Sequence, residues 1–151
     1  MRFDGAHYRL AGAQSGPVPV HPIGIWLGVY GPRALRLAGR VSDGWVPSLR
    51  GDTTFLSEGA ARIDDAATAA GREPADIRRV LNVNGHITDG ARLGLLRGPI
   101  DHWIDELTDL AVGYGFDTFL FWGEGDDQLA LFAEEVVPAV RVQVATERGR
   151  T

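Results

Sequence analysis

The residues best suited to chemistry lie in a turn at residues 28–31, directly before Pro32 and Arg33. An apolar stretch of strand character ends at this turn. Pro32 suits the first position of a helix, where its missing N–H costs no intrahelical hydrogen bond. The free N–H groups and the positive dipole end of that helix then face the turn, which favours binding of an anion. The pattern predicts a phosphate site whose members are Gly28, Val29, Tyr30, Gly31 and Arg33.

A structural interpretation of the same turn stays open at this point. Glycine at positions 28 and 31 can serve a tight turn whose backbone other residues adopt less easily. Arg33 can extend into solvent instead of towards a ligand.

Other polar side chains follow the remaining predicted strands, at the carboxyl ends where α/β sheets bind their ligands. Asn82 and Asn84 share one face of a strand, and amides within an apolar strand need hydrogen-bond partners. A ring-shaped cofactor, a substrate, a structural network or solvent would each satisfy them. Ser48 and Arg50 follow the preceding strand and can reach a ligand from there.

Two further groups have both a catalytic and a structural interpretation. His86 can act as a general base, but the sequence identifies no carboxylate to orient it, and a loop histidine of this kind is more often simply exposed to solvent. Trp122, Glu124, Asp126 and Asp127 follow the last predicted strand and can orient a substrate. Asp126 alone is explained more simply as the N-cap of the next helix.

The remaining candidates are predicted to be structural. Asp43 and Trp45 lie at the amino end of a strand, so we expect a cap or turn at Asp43 and a core position for Trp45. His7, His21 and His102 have no metal-ligand spacing, and there is no cysteine to complete a site. The sequence therefore predicts no metal centre.

Four strand–helix repeats must position these residues. Strands are predicted at residues 23–28, 44–48, 79–84 and 117–122. Helices are predicted at residues 32–41, 53–70, 99–112 and from 126 onward, with Pro138 dividing the last into 126–135 and 137–146. Before them, residues 1–22 are predicted to be an irregular arm with a short strand or hairpin over residues 2–10. Residues 23–151 are predicted to form one domain.

This rhythm predicts the α/β class, with a parallel sheet and right-handed crossovers. By count alone, four consecutive β/α units fit either a small doubly wound sheet or half of an eight-fold barrel. A half barrel leaves both edge strands unpaired and its inner face uncovered. We expect apolar residues on that face, with self-association as a homo-oligomer or a missing partner segment to cover them: Ile25, Leu27, Val80, Phe119 and Phe121.

Composition excludes several classes of function. The chain has 151 residues, a net charge of -5 and no cysteine, and its pI is about 5.3. These values disfavour binding to nucleic acid or to anionic membranes and exclude thiolate catalysis and disulfides. All the basic residues are arginine, so Schiff-base lysine chemistry is also excluded. The sequence contains no signal-peptide or membrane-span pattern, and a cytoplasmic location is expected.

Four segments carry a family resemblance, and they are Ile25-Trp26-Leu27-Gly28 with Gly31-Pro32-Arg33-Ala34-Leu35, Ala38-Gly39-Arg40-Val41-Ser42-Asp43-Gly44-Trp45, Ala69-Ala70-Gly71-Arg72-Glu73-Pro74, and Tyr114-Gly115-Phe116-Asp117-Thr118-Phe119. Through these segments the chain resembles the C-terminal half of a luciferase-like monooxygenase, a TIM-barrel oxidoreductase that uses FMN or the deazaflavin coenzyme F-420. Members of that family are about twice as long as this chain, and they usually have Ala where this chain has Ser42.

The resemblance implies half of a TIM (β/α)8 barrel, formed by its last four units. It also implies that the cofactor's phosphate binds at residues 28–31 and that the substrate is a small molecule. The expected function is a flavin- or deazaflavin-dependent oxidoreductase or monooxygenase, represented by its C-terminal half and of little activity alone. The alternative is a non-catalytic remnant or fragment that folds and self-associates. The choice between FMN and deazaflavin, the substrate and the catalytic residues stay open.

Overall fold

The structure is a computed structural model that describes residues 1–12, 14 and 16–150. Ala13 and Ser15, within the predicted arm, and Thr151, at the end of the predicted domain, lie outside the described residues. The strands are β1 (Arg2–Asp4), β2 (Arg9–Ala11), β3 (Trp26–Leu27), β4 (Gly44–Trp45), β5 (Arg78–Val83), β6 (His86–Ile87), β7 (Arg97–Gly98) and β8 (Thr118–Phe121). The α-helices are α1 (Pro32–Val41), α2 (Thr54–Ala69), α3 (Ile100–Val112), α4 (Asp126–Leu131) and α5 (Val137–Arg148).

The central sheet has four parallel strands in the order β3-β4-β5-β8. A helix follows each of these strands before the next one begins, so the predicted β/α rhythm is confirmed. The arm contains the predicted hairpin, in which β1 pairs antiparallel with β2. The loop after β5 carries an additional short parallel pair, β6 with β7, which the sequence did not predict.

Two central strands, β3 and β4, are shorter than predicted, and each is shortened by one identifiable residue. Strand β3 covers only Trp26–Leu27 because Asp43 binds the backbone before it. The N–H of Ile25 donates to Asp43 Oδ2 (2.7 Å), and the N–H of Asp43 donates to the Ile25 carbonyl (2.9 Å). Strand β4 ends before Pro47, which has no N–H for the ladder. Pairing resumes after that proline, where Ser48 lies opposite Asn82.

The final helix was predicted to break around Pro138, but in the structure its helical geometry changes before that residue and the chain stays helical. A π-helical turn, Phe132–Val136, joins α4 to α5 without a gap. Pro138 lies in the first turn of α5. A proline ring clashes with the carbonyl four residues earlier, here that of Glu134 within the wider π turn. The predicted start of the last segment at residue 137 is confirmed, but the predicted break between residues 135 and 137 is wrong because the helix is continuous there.

The helices cover one face of the sheet and leave the other open. On the covered face, Trp45, Leu81 and Val83 join side chains of all the long helices in one core. Side chains alternate along a strand, so Ser48, Asn82 and Trp122 belong to the open face. That alternation corrects the predicted inner face, because Leu27, Phe119 and Phe121 pack against the helical core. Apolar members of the open face include Trp26, Leu120 and Trp122, all exposed.

Candidate functional site

The turn between β3 and α1 has the geometry expected of an anion site. Gly31 is the N-cap of α1, with no side-chain cap, and Pro32 begins the helix. The N–H groups of Arg33 and Ala34 therefore have no intrahelical acceptor. Gly28, Gly31 and Arg33 are exposed, so these donors and the Arg33 side chain are accessible from outside.

Neither glycine of the turn is required by backbone conformation. Gly31 has φ -72° and ψ 148°, which any residue adopts, and Gly28 has no positive φ. This removes the interpretation that the turn needs glycine for its backbone. A side chain at Gly31 would meet no atom within 4 Å, whereas one at Gly28 would lie 3.3 Å from the Val46 carbonyl. Open space above Gly31 is what close approach of a ligand requires.

The other two members of the predicted set are held by neighbouring strands. The Val29 carbonyl accepts a hydrogen bond from the Trp45 indole (2.9 Å). The Tyr30 phenol accepts one from the Ser48 N–H (2.7 Å). These contacts connect the turn to β4 and the segment that follows it.

A row of hydrogen bonds crosses the sheet at the carboxyl ends of its strands. From Tyr30 it continues through Ser48 to Asn82, whose Nδ2 donates to Ser48 Oγ (3.4 Å). Asn82 Oδ1 in turn accepts from the indole of Trp122 (3.0 Å). The row joins one side chain from each of the four units, and we call it the polar row: Tyr30, Ser48, Asn82 and Trp122. Trp122 is 67% exposed, so its hydrogen bond orients an indole that faces solvent.

Arg50 provides positive charge at one end of the polar row. Its guanidinium lies 4.1 Å from the centre of the Tyr30 ring, a cation–π contact. Desolvation raises the pKa of the Tyr30 phenol, but hydrogen bonds from Ser48 and the charge of Arg50 outweigh it. The net effect lowers the pKa of Tyr30 below its ordinary value of 10.0.

We expect Tyr30 to ionise at a lower pH than free tyrosine, and Arg50→Gln to raise its pKa. Because the folded state favours the ionised phenol, Tyr30 increases the free energy of unfolding as pH rises above its folded-state pKa. The full contribution is present once the pH exceeds the pKa of Tyr30 in the unfolded state. The titration of Tyr30 is measured as the tyrosinate absorbance of the protein at each pH minus that of the Tyr30→Phe variant. Arg36→Gln, on the exposed side of α1, is the matched control. If the pKa of Tyr30 obtained from this difference is the same in Arg50→Gln as in the wild type, Arg50 does not lower the pKa of Tyr30.

Comparison with known proteins decides the family. Residues 1–92, more than half of the chain, match the family model described as luciferase-like monooxygenase. The chain belongs to the luciferase-like monooxygenase family. The resemblance carried by the sequence segments is thereby confirmed.

The relatives and structural neighbours are larger proteins. An F420-dependent glucose-6-phosphate dehydrogenase of Mycolicibacterium fortuitum is 33% identical over 82 residues, which cover 54% of this chain and 24% of that protein. An F420-dependent secondary alcohol dehydrogenase, solved with an F420–acetone adduct, has a TM-score of 0.70 at 15% identity, over 93% of this chain and 56% of its own. A riboflavin lyase solved with modified FMN has a TM-score of 0.71 at 15% identity, over 99% and 48%.

The matched part of this chain thus covers between 24% and 56% of the three proteins named above. Homologues depend on F420, and structural neighbours bind F420 or FMN. The neighbours are TIM-barrel enzymes of the luciferase-like family, so the predicted α/β half-barrel fold is confirmed. Within the described residues, no helix is long and apolar enough to cross a membrane.

The remaining candidate residues near the ends of β5 and β8 make no hydrogen bond to the polar row within the described residues. Asn84 and His86 are exposed, and neither side chain has a hydrogen bond within the described part of the chain. Glu124 and Asp127 are exposed beyond β8. The N-cap of α4 is Gly125, with φ 91°, so the prediction of Asp126 as the cap is wrong by one residue.

Trp45 takes its predicted core position, whereas Asp43 binds the backbone beside β3 instead of capping a helix or turn. Asp43 fastens β3 to β4, and Trp45 is fully buried. His102 is buried with its Nε2 2.9 Å from the Gly94 carbonyl, while His7 and His21 are exposed. No group of three or more potential metal ligands occurs in the described ranges.

Part of the family pattern has a structural role that the sequence analysis missed. Arg72, in the third matching segment, donates to the carbonyls of Gly39 (2.7 Å) and Ser42 (2.8 Å). It thereby satisfies free carbonyls at the end of α1. The Ser42 hydroxyl donates to the Ala38 carbonyl (2.7 Å), so this departure from the family's usual Ala is accommodated inside the fold. The match of these segments to the family pattern was the available signal, but only the folded chain brings the segments together.

Proposed function

We propose that the chain is the C-terminal half barrel of a flavin- or deazaflavin-dependent oxidoreductase that acts on a small molecule. The observation that carries the proposal is the open, glycine-capped N-terminus of α1 at the carboxyl end of β3. Membership of a family whose members use F420 or FMN supplies the class of ligand. Both cofactors carry a phosphate, which suits free N–H donors at a helix N-terminus.

The residues of the turn fit the phosphate part of either cofactor. In this proposal, N–H groups of the turn and first helical turn donate to phosphate oxygens. Gly31 permits their close approach because nothing occupies the space above its Cα. Arg33, exposed on the same turn, adds a charge-assisted hydrogen bond.

The polar row fits the part of the ligand that lies over the barrel mouth. When bound, the flavin or deazaflavin ring supplies the hydride or oxygen chemistry, and the protein binds and orients it. Asn82 and Ser48 hold each other and leave hydrogen-bonding capacity for a polar edge of the ring or substrate. Trp122, oriented by Asn82 and exposed, offers an aromatic surface beside them.

We expect Gly31→Val to weaken binding of FMN or deazaflavin at least about tenfold, equivalent to about 1.4 kcal/mol. The added side chain occupies the approach to the turn, while the extended backbone at Gly31 suits valine. Equilibrium titration followed by cofactor absorbance or fluorescence measures the change. Gly16→Val is the control, because Gly16 is also exposed and unobstructed but lies in the arm. Equal affinities of wild type and Gly31→Val reject the phosphate site.

The second candidate is a non-catalytic remnant that folds and self-associates. It is favoured by the open sheet face, where Trp26, Leu120 and Trp122 are exposed. It is also favoured because His86, the candidate base, has no orienting partner within the described residues. The two candidates differ in a direct experiment. Purification followed by an absorption spectrum and titration with FMN and with deazaflavin gives saturable binding for the first, and none for the second.

A further inference from the structure

We propose that a second copy of this chain docks edge to edge, with β3 of each copy beside β8 of the other. The inference rests on the proposed half barrel and specifies its partner and its contact. Strands β3 and β8 form the two ends of the sheet, and each pairs with one neighbour within the described residues. Unpaired edges of this kind are templates for pairing with another strand.

A groove runs along the free edge of β8. It has a volume of about 620 Å³ and lies between that strand and helices α3 and α5. Asp117 and Arg141 also line it. Its apolar lining is formed by Phe119, Phe132, Val137, Val140 and Val144. The groove lies on the helix-covered side of the sheet, because Phe119 packs against the helical core.

The opposite edge carries apolar side chains without a place to pack. Ile23 is 69% exposed and Ile25 is 63% exposed, immediately before β3. Ile25 alternates with Leu27, whose side chain packs against the helical core, so Ile25 belongs to the same side of the sheet. The edge therefore presents an apolar projection on the side where the other edge has its groove.

A two-fold rotation satisfies both edges at once. It brings Ile23 and Ile25 of each copy to the β8 groove of the other, so the two contacts are identical and the assembly closes. Eight strands then form one ring with no free edge, which is the geometry of a closed barrel. The TM-score of 0.70 against about half of a barrel enzyme indicates that four strands already have a barrel's arrangement.

The chemistry of the two edges favours a copy of this chain over an unrelated partner. Each copy supplies both the projection and the groove, so two copies can cover both edges of each other. Two copies each carry a net charge of -5, which opposes association at long range. Added salt screens this repulsion, so we expect the dimer to strengthen as ionic strength rises.

Closure also completes the walls of the candidate site. The polar row lies at the carboxyl ends of the strands, on the open face of the sheet. In the closed pair, the partner's strands stand opposite that face and contribute a second polar row to the same mouth. The site of one copy is therefore incomplete without the other.

The test measures mass in solution and then perturbs each edge. Light scattering at micromolar concentration is expected to give twice the 16.3 kDa of the chain. Ile25→Glu, at an exposed position, and Val144→Glu, in the groove, are each expected to give a single-chain mass with an unchanged circular dichroism spectrum. Val142→Glu is the matched control on α5, because Val142 is 68% exposed and outside the groove. If Val144→Glu does not fold, Ile25→Glu alone decides.

Cross-linking tests the pairing of the two edges directly. The chain has no cysteine, so copies with Ile25→Cys can be mixed with copies carrying Val144→Cys and treated with a short bismaleimide. We expect mixed dimers, and none when Val142→Cys replaces Val144→Cys.

Two results overturn the edge contact. One is a single-chain mass for the wild type, and the other is a dimer that Ile25→Glu leaves intact but Leu120→Glu separates, since Leu120 lies on the open face. Cofactor titration stays independent of both results. If the protein is a monomer and its cofactor binding depends on Gly31, the proposed function is supported and this inference is rejected. If the protein is an edge dimer that binds no cofactor, this inference is supported and the proposed function is rejected.

Discussion

Gly39→Val is expected to lower the free energy of unfolding by about 3 kcal/mol or more. Gly39 lies where α1 crosses α2, and a side chain there would be built directly against the Ile63 carbonyl. It would also lie 2.8 Å from the Ala66 Cβ and 3.0 Å from the Ala67 N. Two of these three neighbours are backbone atoms, which cannot rotate away, so the helices must separate.

The sign of this effect follows from comparing two magnitudes. Replacing glycine within a helix gains about 0.5–1 kcal/mol of backbone entropy for alanine, and less for a β-branched residue. Overpacking of a close contact costs about 1–3 kcal/mol and sometimes more, and separation of α1 from α2 also exposes Leu35 and Ile63 of the core. The cost is therefore larger than the gain.

Urea denaturation at equilibrium measures the change, with Gly31→Val as the matched substitution on the same helix. A side chain at Gly31 meets nothing within 4 Å. Gly31→Val should therefore lower the free energy of unfolding only because valine is a poorer N-cap than glycine, by about 1 kcal/mol. Equal midpoints for the two variants, with unchanged slopes, would contradict the close crossing of α1 and α2.

Local signals in the sequence predicted elements best where one residue decides a boundary. Helix α1 begins at Pro32 and ends at Val41 as predicted, because proline at the first position marks its start. Strand β3 was predicted too long because Asp43, distant in sequence, binds the backbone of Ile25. The same limit explains the last helix, where a π turn accommodates Pro138 and the chain continues.

Alternation along a strand predicts two faces but not which face the helices cover. For this reason Phe119 and Phe121 were placed on the inner face, although they pack against α3 and α5 through the helical core. The candidate site had the same limit. Asn82 was identified as an amide needing partners, but Ser48 and Trp122 come from other units. Only the order and register of the strands bring the three side chains together.

The chain alone is expected to show little or no oxidoreductase turnover, even where it binds cofactor. Catalysis at a flavin or deazaflavin needs the ring fixed, water excluded and the acceptor positioned at the reacting atom. Here the mouth is open on the uncovered face of the sheet, where Trp26 and Trp122 are exposed. His86, the candidate base, has no orienting partner within the described residues.

Association of two copies changes access more than chemistry. A closed pair would shield the mouth from water, but both copies contribute the same late-unit loops, so the residues that the first four units of a barrel supply stay absent. We therefore expect the chain to bind cofactor at the Gly31 turn without catalysing its oxidation.

The measurement supplies reduced FMN or reduced deazaflavin with panels of aldehydes, alcohols and quinones, and follows oxidation of the cofactor against a protein-free control. Gly31→Val serves as the binding-deficient reference. Substrate-dependent oxidation well above the protein-free rate, lost in Gly31→Val, would show that this half barrel builds a complete active site. If Ile25→Glu also abolished that oxidation, the site would have to be assembled between two copies.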